Sequence, residues 1–209
     1  MIRLACSFVA SIGRHQLEDY VRELDVDVFS FDESGHEVLV GRIAATQVLW
    51  ADAEMDRESL FDICDNDSQG VYEVYRTLTD KQGKIRTDLN ADEVVDHVIF
   101  VYRIVLHPDL EFCRRAILES VVTLFGCESL AVMWKDTGNF WESELADLGF
   151  CKIAGEELVF RHSGFKTPFS KAHPRGLDVD FEARPEHAAW VAEHWAEEKE
   201  QESSMELGQ

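Results

Sequence analysis

The sequence predicts an α+β domain: a mixed, mostly antiparallel central sheet flanked by helices, followed by an acidic C-terminal helix. Three observations predict it. A hairpin pattern surrounds the turn cluster DESGH at 32–36. A strand–helix–strand–helix–strand order runs from residue 97 to residue 162. Helically spaced apolar residues lie between the two. The 209 residues suffice for one large domain with an appendage, and a hydrophobic content of 45% can fill a core. We place the domain at 1–163, and a loop, acidic helix and disordered tail at 164–209.

The elements follow in chain order. MIRLACSFVASIGRHQ reads as a first strand entering a helix; its apolar run is broken by Ser7 and Ser11, and no cleavage site follows. VDVFSF alternates apolar and polar residues and, across DESGH, faces EVLVGRIAATQVLW, which makes a β-hairpin. In ADAEMDRESLFDICDNDSQGVYEVYRTLTDK, the positions Leu60, Ile63, Val71, Val74, Tyr75 and Leu78 suit helical spacing. DNDSQG interrupts them, so two short helices are expected, the second capped by Asp67 or Ser68. KQGKIRTDLNADE is a polar loop. Residues 97–107 form a strongly apolar, central strand. Residues 109–125 put Phe112, Ala116, Ile117, Val121 and Leu124 on one helical face. GCESLAVMW is a turn and a strand, NFWESELADLGF a helix closed by Gly149, and CKIAGEELVFRH a strand pair or one bent strand around Gly155. Pro185 suits the first turn of a last helix, whose narrow stripe is Ala188, Val191, Ala192 and Trp195. From Asp178 onward ten acidic and two basic residues give a net charge of −8. The last ten residues read as disordered.

Charge is the strongest global signal. Forty-one acidic residues against twenty basic leave −21, which argues against direct binding of nucleic acid or an anionic membrane. It suits a basic protein partner. No apolar run approaches the roughly 20 residues of a membrane span, and a cytoplasmic location is the default. Five widely spaced cysteines without a CxxC are neither a disulfide framework nor a zinc signature, so most read as buried thiols.

Chemistry-bearing residues concentrate in HPDLEFCRRAIL, residues 107–118, a turn from strand to helix. The free N–H groups of such a turn can cradle a phosphate, and glycine usually lets the anion approach; this turn has none. Cys113, at a helix start beside Arg114 and Arg115, is placed for a lowered thiol pKa, with His107 as a candidate base across the turn. A packed thiol is the favoured alternative. DNDSQGVYEVYR puts Asp65, Asp67, Gln69 and Gly70 at calcium-loop positions, but Arg76 stands where a bidentate Glu is required, so no calcium site is expected. His187 and His194 lie seven apart on the last helix, whereas helical metal ligands more often lie four apart. The preferred reading is a helix docked by Trp190 and Trp195, on the body or on a second copy. No metal site is expected.

The block NFWESELADLGFCKIAGEELVFR resembles the C-terminal half of the GNAT acyltransferase superfamily, in which a helix ending in Leu-Gly-Phe, here Leu148, Gly149 and Phe150, runs into a strand. VIFVYRIVLHPDL resembles the central strand of those enzymes, and LVGRIAATQVLW an earlier strand of their N-terminal half. The acidic segment DICDNDSQGVYEVYRTL is similar to one bacterial branch. The resemblance covers roughly residues 25–162. It implies a GNAT-like sheet, with acetyl-CoA in the splay between two central strands and its pyrophosphate on the turn after Leu106. The cofactor-binding positions would be Leu106, Arg114, Arg115 and Ala116.

The chain departs from the family's pattern, Arg/Gln-x-x-Gly-x-Gly/Ala. Glu111 stands where the first basic or amide residue belongs, and Phe112 and Arg114 put bulk where the turn should be tight. A like charge about 4 Å from the anion costs on the order of 1–4 kcal/mol at effective dielectrics of 80 to 20. Arg114 and Arg115 could offset this through their side chains. The family's tyrosine general acid is also replaced, by Leu145; Tyr102 is the nearest substitute, though a tyrosine half buried in the sheet is the favoured reading of that position. The leading expectation is therefore a divergent GNAT-fold protein with a weak or absent acetyl-CoA site, acting as a protein-binding regulatory module. Two alternatives stand beside it: an active acyl-CoA-dependent N-acyltransferase on a cationic amine, and an acidic decoy of a DNA-binding protein. A homodimer is compatible with all three.

Overall fold

The structure is a computed structural model that describes residues 2–9, 16–89, 95–124, 129–163 and 181–207. Its centre is a seven-stranded sheet made of β1 (Arg3–Val9), β2 (Val21–Phe31), β3 (Glu37–Val48), β4 (His97–Leu106), β5 (Ser129–Trp134), β6 (Cys151–Lys152) and β7 (Leu158–His162). The strand order is β1-β2-β3-β4-β5-β7-β6. Only β4 and β5 run parallel; every other pairing is antiparallel. The expected α+β class with a mixed, mostly antiparallel sheet is thus what the chain adopts.

Local chemistry builds the hairpin. The Asp32 carboxylate accepts the N–H groups of Ser34 at 2.9 Å and His36 at 2.8 Å, and Gly35 takes φ +79°, the left-handed conformation that favours glycine. The strands it joins are longer than the alternating pattern alone marks, β2 starting at Val21. Between β3 and β4 the register shifts, Ala44 facing Arg103 and Ala45 facing Val101, so Tyr102 is the extra residue of a bulge.

Helices cover both faces. On one lie α1 (Trp50–Asp56), α2 (Leu60–Asp67) and α3 (Gln69–Leu78), over a cluster that includes Val98, Phe100, Leu130, Val132 and Phe160. These are three helices where two were expected. The second break is at Ser68, whose hydroxyl accepts the Val71 N–H at 3.3 Å, as an N-cap should. On the other face lie α4 (Arg114–Leu124) and α5 (Glu142–Asp147), over Ile99, Val101, Ala131, Met133 and Val159. The expected helix over 109–125 is divided: Pro108–Cys113 form a 3₁₀ turn, and the α-helix begins at Arg114. The last helix, α6 (Pro185–Leu207), stays helical through most of the tail expected to be disordered. The loop expected at 164–180 lies outside the described residues.

One ion pair joins sheet to helix inside the core. Arg161 of β7 is 1% exposed and Glu119 of α4 is 5% exposed. The guanidinium donates twice to the carboxylate, one bond being 3.0 Å from Nη2 to Oε1. Removing one partner of such a pair strands the other charge in an apolar interior. Glu119→Ala should therefore lower unfolding free energy by about 3–5 kcal/mol, read from urea denaturation. The double change Glu119→Leu with Arg161→Met should recover much of it.

Candidate functional site

The strand-to-helix turn singled out in the sequence sits at the end of β4, and its two cations are already engaged. Arg114 donates to Glu144 Oε1 from Nε at 3.2 Å and, more closely, to Oε2 from Nη2. Arg115 Nε donates to the same Oε1 at 3.1 Å, and its Nη1 to Asp147 at 3.1 Å. Glu144 also accepts the Trp141 N–H at 2.8 Å. Burial alone would raise the Glu144 pKa; the bonds from Arg114, Trp141 and Arg115 overcome it and hold the carboxyl below its usual range. Glu111 adds a weak approach to Arg114 at 3.8 Å. A side-chain grip on phosphate would have to break this fork.

The gap beside β4 is also occupied. Parallel pairing with β5 ends at Val101–Met133, while β4 continues to Leu106. The 3₁₀ turn Thr137–Asn139 packs there. Gly138 takes φ +70°, and a Cβ on it would lie 3.0 Å from Ile104 Cβ and 2.9 Å from the Phe140 ring. The turn therefore sits against β4 as closely as a glycine allows.

Tyr102 does not join the turn. It packs with the cluster under α1–α3, whereas Leu106, Leu110, Cys113 and Ile117 belong to the opposite cluster. Its hydroxyl donates to Glu23 Oε2 at 3.1 Å, and Thr46 donates to Glu23 Oε1 at 3.2 Å. Burial, then the Glu23 charge, push the phenol pKa well up, so it holds its proton firmly. Ala116 is half-buried. Cys113 is the packed thiol favoured from the sequence, not an activated one. The side chain is 2% exposed, its Sγ donates to the Leu110 carbonyl at 3.4 Å, and burial pushes its pKa up to about 11.

What the linear sequence hid is a clasp between the turn and α6. The His107 ring lies 4.3 Å from the His187 ring and 5.0 Å from Trp190, and Trp190 stacks on His194 at 3.8 Å. Phe181 stacks on His187 at 5.4 Å. Further along, Trp195 lies over Arg103 at 4.6 Å and Arg42 at 5.4 Å, cation–π contacts that seat the helix on β3 and β4. The two tryptophans dock on the body of the chain itself.

His107, Asp109 and His187 bring one ligand atom each within 4.8 Å of one another. Asp109 Oδ2 lies 3.4 Å from His187 Nε2 and 3.7 Å from His107 Nδ1, near the ligand–ligand edge of about 3.3 Å in a tetrahedral zinc site. The donor chemistry does not fit a metal. A metal-bound imidazole offers its other N–H to an acceptor. Here His187 Nδ1 itself accepts the Arg184 N–H at 3.1 Å, which leaves its proton on Nε2, toward Asp109. His107 Nδ1 accepts the Asp109 N–H at 3.2 Å, so that lone pair is taken. The cluster is a hydrogen-bonded aromatic clasp, and spacing within α6 alone gives no hint of it, because half of it comes from the turn after β4.

Burial first, then the His187 charge, hold His107 below the ordinary 6.5; Arg184 and His194 add to this, and Asp109 opposes it. A base with a depressed pKa contributes stability fully above its ordinary value and loses it as pH falls below about 6.5 toward its folded value. Acidifying from about pH 8 to about pH 5 should loosen α6 and red-shift the tryptophan emission, with the onset near 6.5. His107→Gln should flatten that transition. No protein-family model, curated protein or solved structure matches this chain.

Proposed function

We propose that this chain is a divergent, GNAT-like protein in which the acetyl-CoA site is weakened or lost, and that it acts as a protein-binding module for a basic partner. The observation that carries this reading is the Glu144 fork: both arginines that could have replaced the missing glycines hold a carboxylate instead. Three further features support it. Asp109 and Glu111 add negative charge to the turn, α6 lies against it, and the turn at Gly138 fills the gap beside β4.

The partner class follows from the surface of α1–α3. Residues 50–78 carry eight acidic side chains and two basic ones, a net of −6. Met55 and Phe61 stand out of this acidic layer at 74% and 45% exposure. Exposed apolar anchors on an acidic segment suit a lysine- or arginine-rich segment carrying its own apolar side chains.

Calorimetry with acetyl-CoA tests the first half. Binding should be weaker than about 1 mM, and Glu144→Gln, which frees the arginines, should tighten it by about tenfold. Micromolar binding that Arg114→Glu abolishes would overturn the reading. For the second half, a lysine-rich peptide should bind at about 20 mM salt and release above about 0.5 M. Phe61→Ala should weaken the complex without changing its salt slope.

A further inference from the structure

The two edges of the sheet are built differently. At one end β6 has two residues, Cys151 and Lys152, and Lys152 is bridged to Glu142 at 2.7 Å. A short edge carrying a lysine is protected against strand addition. At the other end β1 has seven residues, RLACSFV, with no charge from Leu4 to Phe8 and no proline. Every second residue of an edge strand turns its N–H and C=O outward, unpaired.

The side chains make the contrast sharper. Leu4, Cys6 and Phe8 face Val28, Val26 and Leu24 across the β1–β2 ladder, and those three β2 residues belong to the main core. The row on β1 is therefore on the core side of the sheet. Yet Cys6 is exposed and Phe8 is 63% exposed. Among the described residues, the apolar face extends one strand beyond its cover.

We infer that β1 pairs antiparallel with β1 of a second copy, so that the two sheets join edge to edge. A two-fold axis normal to the sheet at Cys6 sets Leu4 of one copy against Phe8 of the other, on the same face, and the uncovered row closes on itself. Charge selects this occupant. A chain of net −21 repels its own copy wherever carboxylates meet, and the outer stretch of β1 offers none. The neighbouring carboxylates, Glu23, Asp25 and Asp27 of β2, stand across from Val9, Ser7 and Ala5 on the opposite face, so the apolar row itself gives a basic partner nothing to hold.

Sedimentation equilibrium of the full chain tests the pairing. The expected result is a reversible dimer whose dissociation constant falls as salt rises from about 0.05 to about 0.5 M, because screening removes the repulsion between copies. Backbone amides of residues 3–9 should exchange more slowly at higher protein concentration. Phe8→Lys, or Cys6→Lys, should raise the dissociation constant at least about tenfold, while the circular dichroism spectrum and melting of the dilute monomer stay unchanged. With two variants on one row, a folding defect in one leaves the other as the test. A monomer at every concentration and salt would overturn the inference, as would a dimer insensitive to both substitutions. Association that weakens with salt would also do so, and would point to a charge-driven contact instead.

Discussion

Much of this structure turns on a single carboxylate. Glu144, 6% exposed, sits where α5 begins and accepts from Arg114, Arg115 and the Trp141 amide. Three donors on one buried anion satisfy it as fully as an interior demands. The same bonds lock the first turn of α4 to the first turn of α5, and so fix the loop that carries Gly138 against β4. The turn at the end of β4 is thereby left without a free guanidinium. The anion these two arginines hold is one from within the chain.

Strands β4 and β5 pair in parallel across the α4 crossover, and β4 runs on past the end of that pairing. The space beyond the pairing is filled: by Gly138 and Phe140 on one side of β4, and by α6 with its histidines and tryptophans at the end of it. Each insertion is local and apolar or hydrogen-bonded. None disturbs the ladders, which depend on backbone pairing and on the alternation of side chains between two cores.

The sequence shows most of the fold and little of the clasp, for a physical reason. Strand β4, the DESGH hairpin, helix α4 and the Ser68 cap depend on neighbours within a few residues, and periodicity and turn chemistry report such neighbours. Helix α1 buries only Trp50 and Ala53, too few positions for periodicity to separate it from the helix that follows. The partners of Arg114 and His107 lie 30 and 80 positions away, at Glu144 and His187, beyond any local pattern. Tyr102 was drawn toward the turn by sequence proximity; the bulge and the pleat put it under α1–α3. The cysteine beside two arginines looked electropositive, but the arginines point at Glu144 and the thiol points into the core.

The Arg161–Glu119 pair has a consequence for how the chain is made. The two residues are 42 apart in sequence, and the carboxylate emerges first. At 5–20 residues per second a growing chain spends roughly 2–8 s with α4 exposed and its acidic side chain still without a counter-ion. Throughout that interval water is the best environment for Glu119, so α4 has reason to stay off the sheet. Synthesis of β7 supplies the missing cation and the missing strand together, which ties closure of this half of the core to the arrival of residue 161 from the ribosome.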